Sequence, residues 1–133
     1  MPRRRRRAWR CRGSGWWRGA FTRDGGYAAA AELLRRGRPP TCVFAVTDVM
    51  AVGALAALRE RGVRVPDDVS LAGFDDIPLV RELTPPLTTV ALPLARMGRD
   101  VLELALREPR GRRSRVRRVP GEVVLRRSTG RYS

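Results

Sequence analysis

The sequence predicts an α/β fold, a parallel sheet flanked by helices, and three observations carry that prediction. Residues 42–46, "CVFAV", form a continuous apolar run too short for a helix, expected as a strand buried on both faces. Residues 69–73, "VSLAG", form a second strand of the same kind. Between them, "VMAVGALAALRERG" has the composition of a helix of about three turns. Strand, helix and strand in that order make a right-handed crossover, which leaves the two strands parallel.

The elements follow in chain order. The opening "MPRRRRRAWRCRGSGWWRGA", residues 1–20, has no period of either kind and is expected to be a disordered basic arm. Arginines interleaved with tryptophans could grip phosphates and stack on bases. The same bias arises from a misplaced start in a GC-rich gene, and composition alone favours that plainer reading. Its "GSGWWRG" is not a dinucleotide loop, because no strand precedes it. From Phe21 the pattern becomes regular, and good helix formers fill residues 27–36, with Gly25 and Gly26 ahead of them and Gly37 and Pro39 as stop signals. The helix at 49–61 closes on Arg59, Arg61 and Gly62. Pro85 and Pro86 exclude a helix through "LTPPLTTVALP", so residues 78–86 are expected to be irregular and residues 87–91 extended. Residues 94–108 space Leu94, Met97, Val101, Leu104 and Ala105 along one face of an amphipathic helix. A basic loop at 109–120, expected as solvated surface, leads to a last strand in "EVVLRRST" and a short tail at 130–133.

At 133 residues the chain has room for one domain of ordinary size. Its net charge of +15 is unevenly spread. Residues 1–23 hold nine arginines and no acid, residues 24–106 nine against eleven acids, and residues 107–133 ten against two. The basic character therefore lives in the ends, and the middle is nearly neutral. Every basic side chain is arginine; lysine and histidine are absent. That excludes a P-loop lysine, a Schiff base, a histidine-activated serine or cysteine, and an imidazole metal ligand. Cys11 and Cys42 lack paired-ligand spacing, and Cys42 is expected as a buried structural thiol. No metal, no cofactor and no enzymatic reaction is expected. Neither a membrane span nor the apolar segment of a secretory signal is visible, which points to the cytoplasm.

Parallel topology gives the polar pairs Thr47–Asp48 and Asp75–Asp76 a meaning, since each comes directly after a strand and so lies at the same edge of the sheet. Ligands of open α/β sheets bind beyond that edge. A carboxylate there can accept two hydroxyl protons of a sugar or the N–H groups of a base. Thr47 or Asp48 can instead cap the helix that follows, and capping is the expectation for Asp48. Asp75 is expected to face a ligand, because no helix starts beside it, and Asp76 to serve the turn. Paired catalytic carboxylates are disfavoured, since neighbours in sequence diverge and no third group is in view.

With those residues in place, "FAVTDVMAVGALAALRERGVRVPDDVSLAGFDDIPLVRELTPPLTTV", preceded by "FTRDGGYAAAAELL" and followed by "VLRRST", resembles the sensor domain of the LacI/GalR family of transcriptional regulators. The likeness runs over residues 21–129. It implies a partial periplasmic-binding-protein-like (Rossmann-like) lobe, in a family that holds a small effector in the cleft between two such lobes. By position, Asp75 matches the family carboxylate that hydrogen-bonds the effector, and Thr47 falls where many members carry an effector-contacting Asn. Leu92 stands where a Gln is common. Val52, Ala56 and Leu83 match the dimer surface of the C-terminal lobe.

The resemblance implies a sugar or nucleoside effector, a homodimer, and operator DNA reached only through a helix-turn-helix headpiece. No headpiece, hinge helix or most of an N-terminal lobe can be matched, so a truncated sensor is expected. The helix at 94–108 resembles the return into the missing lobe, and its apolar face is expected to be exposed. Two alternatives remain: a standalone periplasmic-type sugar-binding module of the same fold, and a small basic nucleic-acid-binding protein acting through its arginine-rich ends.

Overall fold

A computed structural model describes residues 18–37, 40–106 and 116–131. Along the chain run α1 (Arg23–Arg35), β1 (Cys42–Phe44), α2 (Asp48–Glu60), β2 (Ser70–Ala72), a 3-10 helix (Pro78–Arg81), β3 (Thr89–Ala91), α3 (Leu94–Leu106) and β4 (Glu122–Val124). The expectations for the basic arm through residue 17, the stop at Pro39, the last two residues of the 94–108 helix, the loop through residue 115 and residues 132–133 lie outside the described residues.

β1 and β2 are parallel, with Val43 opposite Leu71, as the crossover requires. The pairing extends past the strand ends, where the Ala45 amide donates to the Ala72 carbonyl at 2.8 Å and the Asp48 amide to the Phe74 carbonyl at 2.8 Å. On its other side β2 meets the segment leading into β3 through parallel bridges at Ala72–Thr88 and Asp75–Ala91. β3 then pairs antiparallel with β4. Ser128 fastens the C-terminal segment to this assembly from a fully buried position. Its hydroxyl donates to the Leu71 carbonyl at 2.6 Å and accepts the Thr88 amide at 2.7 Å.

The core is built on α2, where Ala51, Ala54, Leu55, Ala57 and Leu58 are buried with Val69 and Leu71 of the second strand region, Val80 and Leu87. Each large aliphatic side chain fully removed from water contributes about 1.5–3 kcal/mol. α1 packs on α2 at backbone contact distance. A Cβ on Gly26 would lie 2.1 Å from the Met50 carbonyl oxygen, and one on Gly53 only 1.8 Å from the Arg23 carbonyl oxygen. Only glycine fits at either position.

That contact explains the first departure from expectation. α1 begins at Arg23, not residue 27, capped by Thr22, whose hydroxyl accepts the Gly25 amide at 3.0 Å. The two glycines read as a break are inside the helix, and Gly26 meets the opposing backbone. The second departure is β1. Cys42, Phe44 and Val46 are exposed, Phe44 to 57%, while Val43 and Ala45 turn inward. The strand is therefore covered on one face only, and Cys42 is not a buried thiol. Among the described residues β1 pairs only with β2, so it is an edge strand of this sheet. The third is the single 3-10 turn at Pro78–Arg81, where irregular chain was expected; Pro78 occupies its first turn, where a missing N–H costs nothing.

α3 forms as expected through Leu106, and none of its residues is buried. Leu94, Val101, Leu102 and Leu106 are exposed. No helix of the described residues is long and apolar enough to cross a membrane.

Candidate functional site

The parallel pair delivers Thr47 and Asp75 to one rim. Thr47 has extended backbone angles and ends the β1 segment; its hydroxyl accepts the Met50 amide at 3.3 Å, so Thr47 is the cap of α2. The hydroxyl proton stays available for donation, and the side chain is half-buried.

Asp48 corrects the capping expectation. It is the first residue of α2 and fully buried. Its carboxylate accepts the Thr89 hydroxyl at 2.7 Å and the Ile77 amide at 3.0 Å. Asp48 thus ties the start of α2 to β3 and to the loop after Asp76. Gly73 makes room for it, since a Cβ there would lie 2.2 Å from Asp48 Oδ1. Thr89, buried beside Asp48, was not singled out by sequence. The signal was present: Thr88 and Thr89 are adjacent hydroxyls in an otherwise apolar extended segment, and buried hydroxyls need partners.

Asp75 sits at the carboxyl end of β2, half-buried, with its amide donating to the Val90 carbonyl at 3.0 Å. Among the described residues its carboxylate has no hydrogen-bond partner. Burial pushes its pKa up from the ordinary 3.8, and the negative charge of Asp48 adds to the rise. Asp76 goes beyond serving the turn. Its carboxylate accepts Arg126 Nη2 at 2.5 Å and Arg81 Nη2 at 2.9 Å. Burial opposes ionisation of Asp76, but the two guanidiniums outweigh it and hold the pKa below the ordinary value.

Among the described residues the rim therefore offers one unpaired carboxylate and one hydroxyl, a set suited to accepting hydrogen bonds from a polar solute and donating to it. Leu92, half-buried on the segment after β3, brings no polar group to it. Among the described residues no cluster of three or more His, Cys, Asp or Glu could hold a metal ion. Val52, Ala56 and Leu83 are half-buried, Leu83 packing partly against the core. Val52 and Ala56 interrupt the buried run of α2 and, with exposed Val49, form a stripe at helical spacing.

A family model described as a periplasmic binding protein-like domain matches residues 4–129. The chain is 42% identical over 114 residues to the HTH-type transcriptional repressor CytR of Escherichia coli, covering 84% of this chain and 33% of CytR. It is 43% identical over 111 residues to the HTH-type transcriptional regulator DegA of Bacillus subtilis, covering 82% and 33%. Similar solved structures include a LacI family regulator from Arthrobacter in complex with lactose, with TM-score 0.73, 36% identity and 84% and 43% of the two chains covered. Another is a LacI family regulator from Enterococcus faecium with bound ribose, TM-score 0.71, 34% identity, 84% and 41% covered. A third is the lac repressor dimer bound to operator and an anti-inducer, TM-score 0.76, 29% identity, 84% and 39% covered. The chain thus spans about a third of the length of the curated relatives it matches.

Proposed function

The chain belongs to the periplasmic binding protein-like family, as sensor-domain sequence of the LacI type, and from that premise we propose that it is the effector-binding and dimerising part of a LacI-type transcriptional regulator. The regulator acts in the cytoplasm. It binds a sugar or nucleoside at the rim, and occupancy shifts the balance between two states of differing operator affinity. DNA is contacted through a headpiece beyond the part of the relatives that this chain spans.

The observation that carries the reading is the Asp75 carboxylate: half-buried, unpaired among the described residues, and raised in pKa beside Asp48. Leaving such a group unsatisfied costs stability, which a ligand's hydroxyls offset by supplying donors. Thr47, beside it on the same rim, donates to a ligand oxygen while its lone pair caps α2. The solved relatives with lactose and with ribose support a sugar as the class.

Dimerisation uses the stripe Val49, Val52 and Ala56 together with Leu83. These apolar side chains gain by being covered by a second copy, and a two-fold arrangement places the same stripe on both subunits.

Calorimetric titration of the chain with D-ribose and with lactose tests the site, comparing the parent with Asp75→Asn. Binding by the parent that drops at least about tenfold in the variant supports the reading, since a charge-assisted hydrogen bond contributes more than one decade of affinity. Equal affinity in the two proteins removes Asp75 from the site.

A further inference from the structure

Asp75 and Asp76 have φ of 115° and 55°, two successive side-chain-bearing residues in the left-handed half of backbone space. Such conformations are unfavourable and persist only where surrounding contacts over-determine them. The contacts converge on Asp76, whose side chain is 11% exposed. Arg126, itself 14% exposed, donates to one carboxylate oxygen and Arg81 to the other. Arg126 is in turn anchored, with Nη1 donating to the Leu87 carbonyl at 2.9 Å and its amide donating to the Thr88 hydroxyl at 2.9 Å. The Ile77 amide is held by Asp48.

Asp76 is therefore gripped from the segment after β4 and from the 3-10 helix, while its neighbour Asp75 is left open. Freed from this grip, the Asp75–Asp76 segment would relax toward negative φ, and the Asp75 carboxylate would swing off the rim.

We propose that Asp76, clamped by Arg126 and Arg81, is a positioning residue that fixes the Asp75 backbone and so aims the Asp75 carboxylate at the ligand. This rests on the reading of Asp75 as a ligand-binding group.

The test uses amide hydrogen exchange on the 15N-labelled full chain, followed at the Asp75 N–H that donates to Val90. In Asp76→Ala and Arg126→Met, exchange at Asp75 is expected to quicken by about tenfold or more, and in Arg81→Met by about threefold, because loss of the clamp opens the loop locally. The Ala45 and Ser70 amides, which donate to the Ala72 and Thr41 carbonyls between the β1 and β2 segments, keep their protection. Asp76→Asn, which retains an oxygen for Arg126, is expected to recover most of the protection at Asp75. Loss of protection at Ala45 and Ser70 in Asp76→Ala signals unfolding, and Arg81→Met, on a side chain 60% exposed, then decides. Unchanged exchange at Asp75 in both arginine variants overturns the proposal. Titration with D-ribose separates the two readings: if Asp75→Asn binds as the parent does, the assignment of the site fails, while the exchange data still decide whether Asp76 holds the loop.

Discussion

The Asp48 carboxylate and the Thr89 hydroxyl meet at 2.7 Å across 41 residues of sequence, both fully buried, and join the first turn of α2 to β3. Asp48→Ala strands that hydroxyl and the Ile77 amide without partners. The expected loss is about 2–4 kcal/mol of unfolding free energy in urea titration. Asp48→Asn, which keeps the shape and one acceptor, is expected to lose about half as much.

Two glycines in helices should respond in opposite directions. Gly53→Ala drives a methyl group into the Arg23 carbonyl and is expected to cost about 1–3 kcal/mol. Gly98→Ala, in α3 with nothing near its would-be Cβ, is expected to gain about 0.5–1 kcal/mol from helix propensity. Parallel denaturation curves for the pair check the close packing of α1 on α2.

Thr47 serves as cap, so Thr47→Ala is expected to cost about 0.5–2 kcal/mol, whereas Thr47→Asn keeps the cap. The Asn variant also adds a carboxamide donor at the rim. D-ribose affinity measured by calorimetry should fall in the Ala variant and rise in the Asn variant; an unchanged affinity in both would place Thr47 outside ligand contact.

Asp75 and Asp76 should pull the pH profile of stability in opposite senses. Asp76 has a depressed pKa, so its contribution is complete above the ordinary 3.8 and is lost as pH falls through the lower folded value. Asp75 has a raised pKa, so ionising it weakens the fold above that raised value. Asp75→Asn is therefore expected to raise Tm at pH 7, with the gain fading as pH drops toward 3.8. Thermal scans across that range in the parent and in Asp75→Asn give the sign directly.

The exposed apolar residues of α3 are expected to drive self-association. Sedimentation of the parent against the double variant Val101→Glu and Leu102→Glu should shift from larger species toward the dimer formed through the α2 stripe.

The crossover and its shared rim were legible because they depend on local signals: two short apolar runs, a helix between them, and a polar pair after each strand. The placement of Thr47 and Asp75 at that rim follows from the geometry, whereas a role for Thr47 toward an effector came from the family resemblance. Asp48, Thr89, Arg126 and Ser128 were harder to read, because each gains its role from a partner far away in sequence. An aspartate beside a helix start looks like a cap until a distant hydroxyl claims it. The early start of α1 was hidden for a related reason, since glycine usually interrupts helices and here admits a neighbouring backbone. Cys42 misled because apolar neighbours imply burial, whereas the coverage of an edge strand depends on what else packs against it.

The seam between α1 and α2 has a mechanical consequence. Helices that slide past one another do so by letting side chains hop between alternative interdigitations. At Gly26 and Gly53 there are no side chains to hop. Backbone therefore meets backbone at this seam, and no side chain lies between the two helices there to yield if one were pressed toward the other.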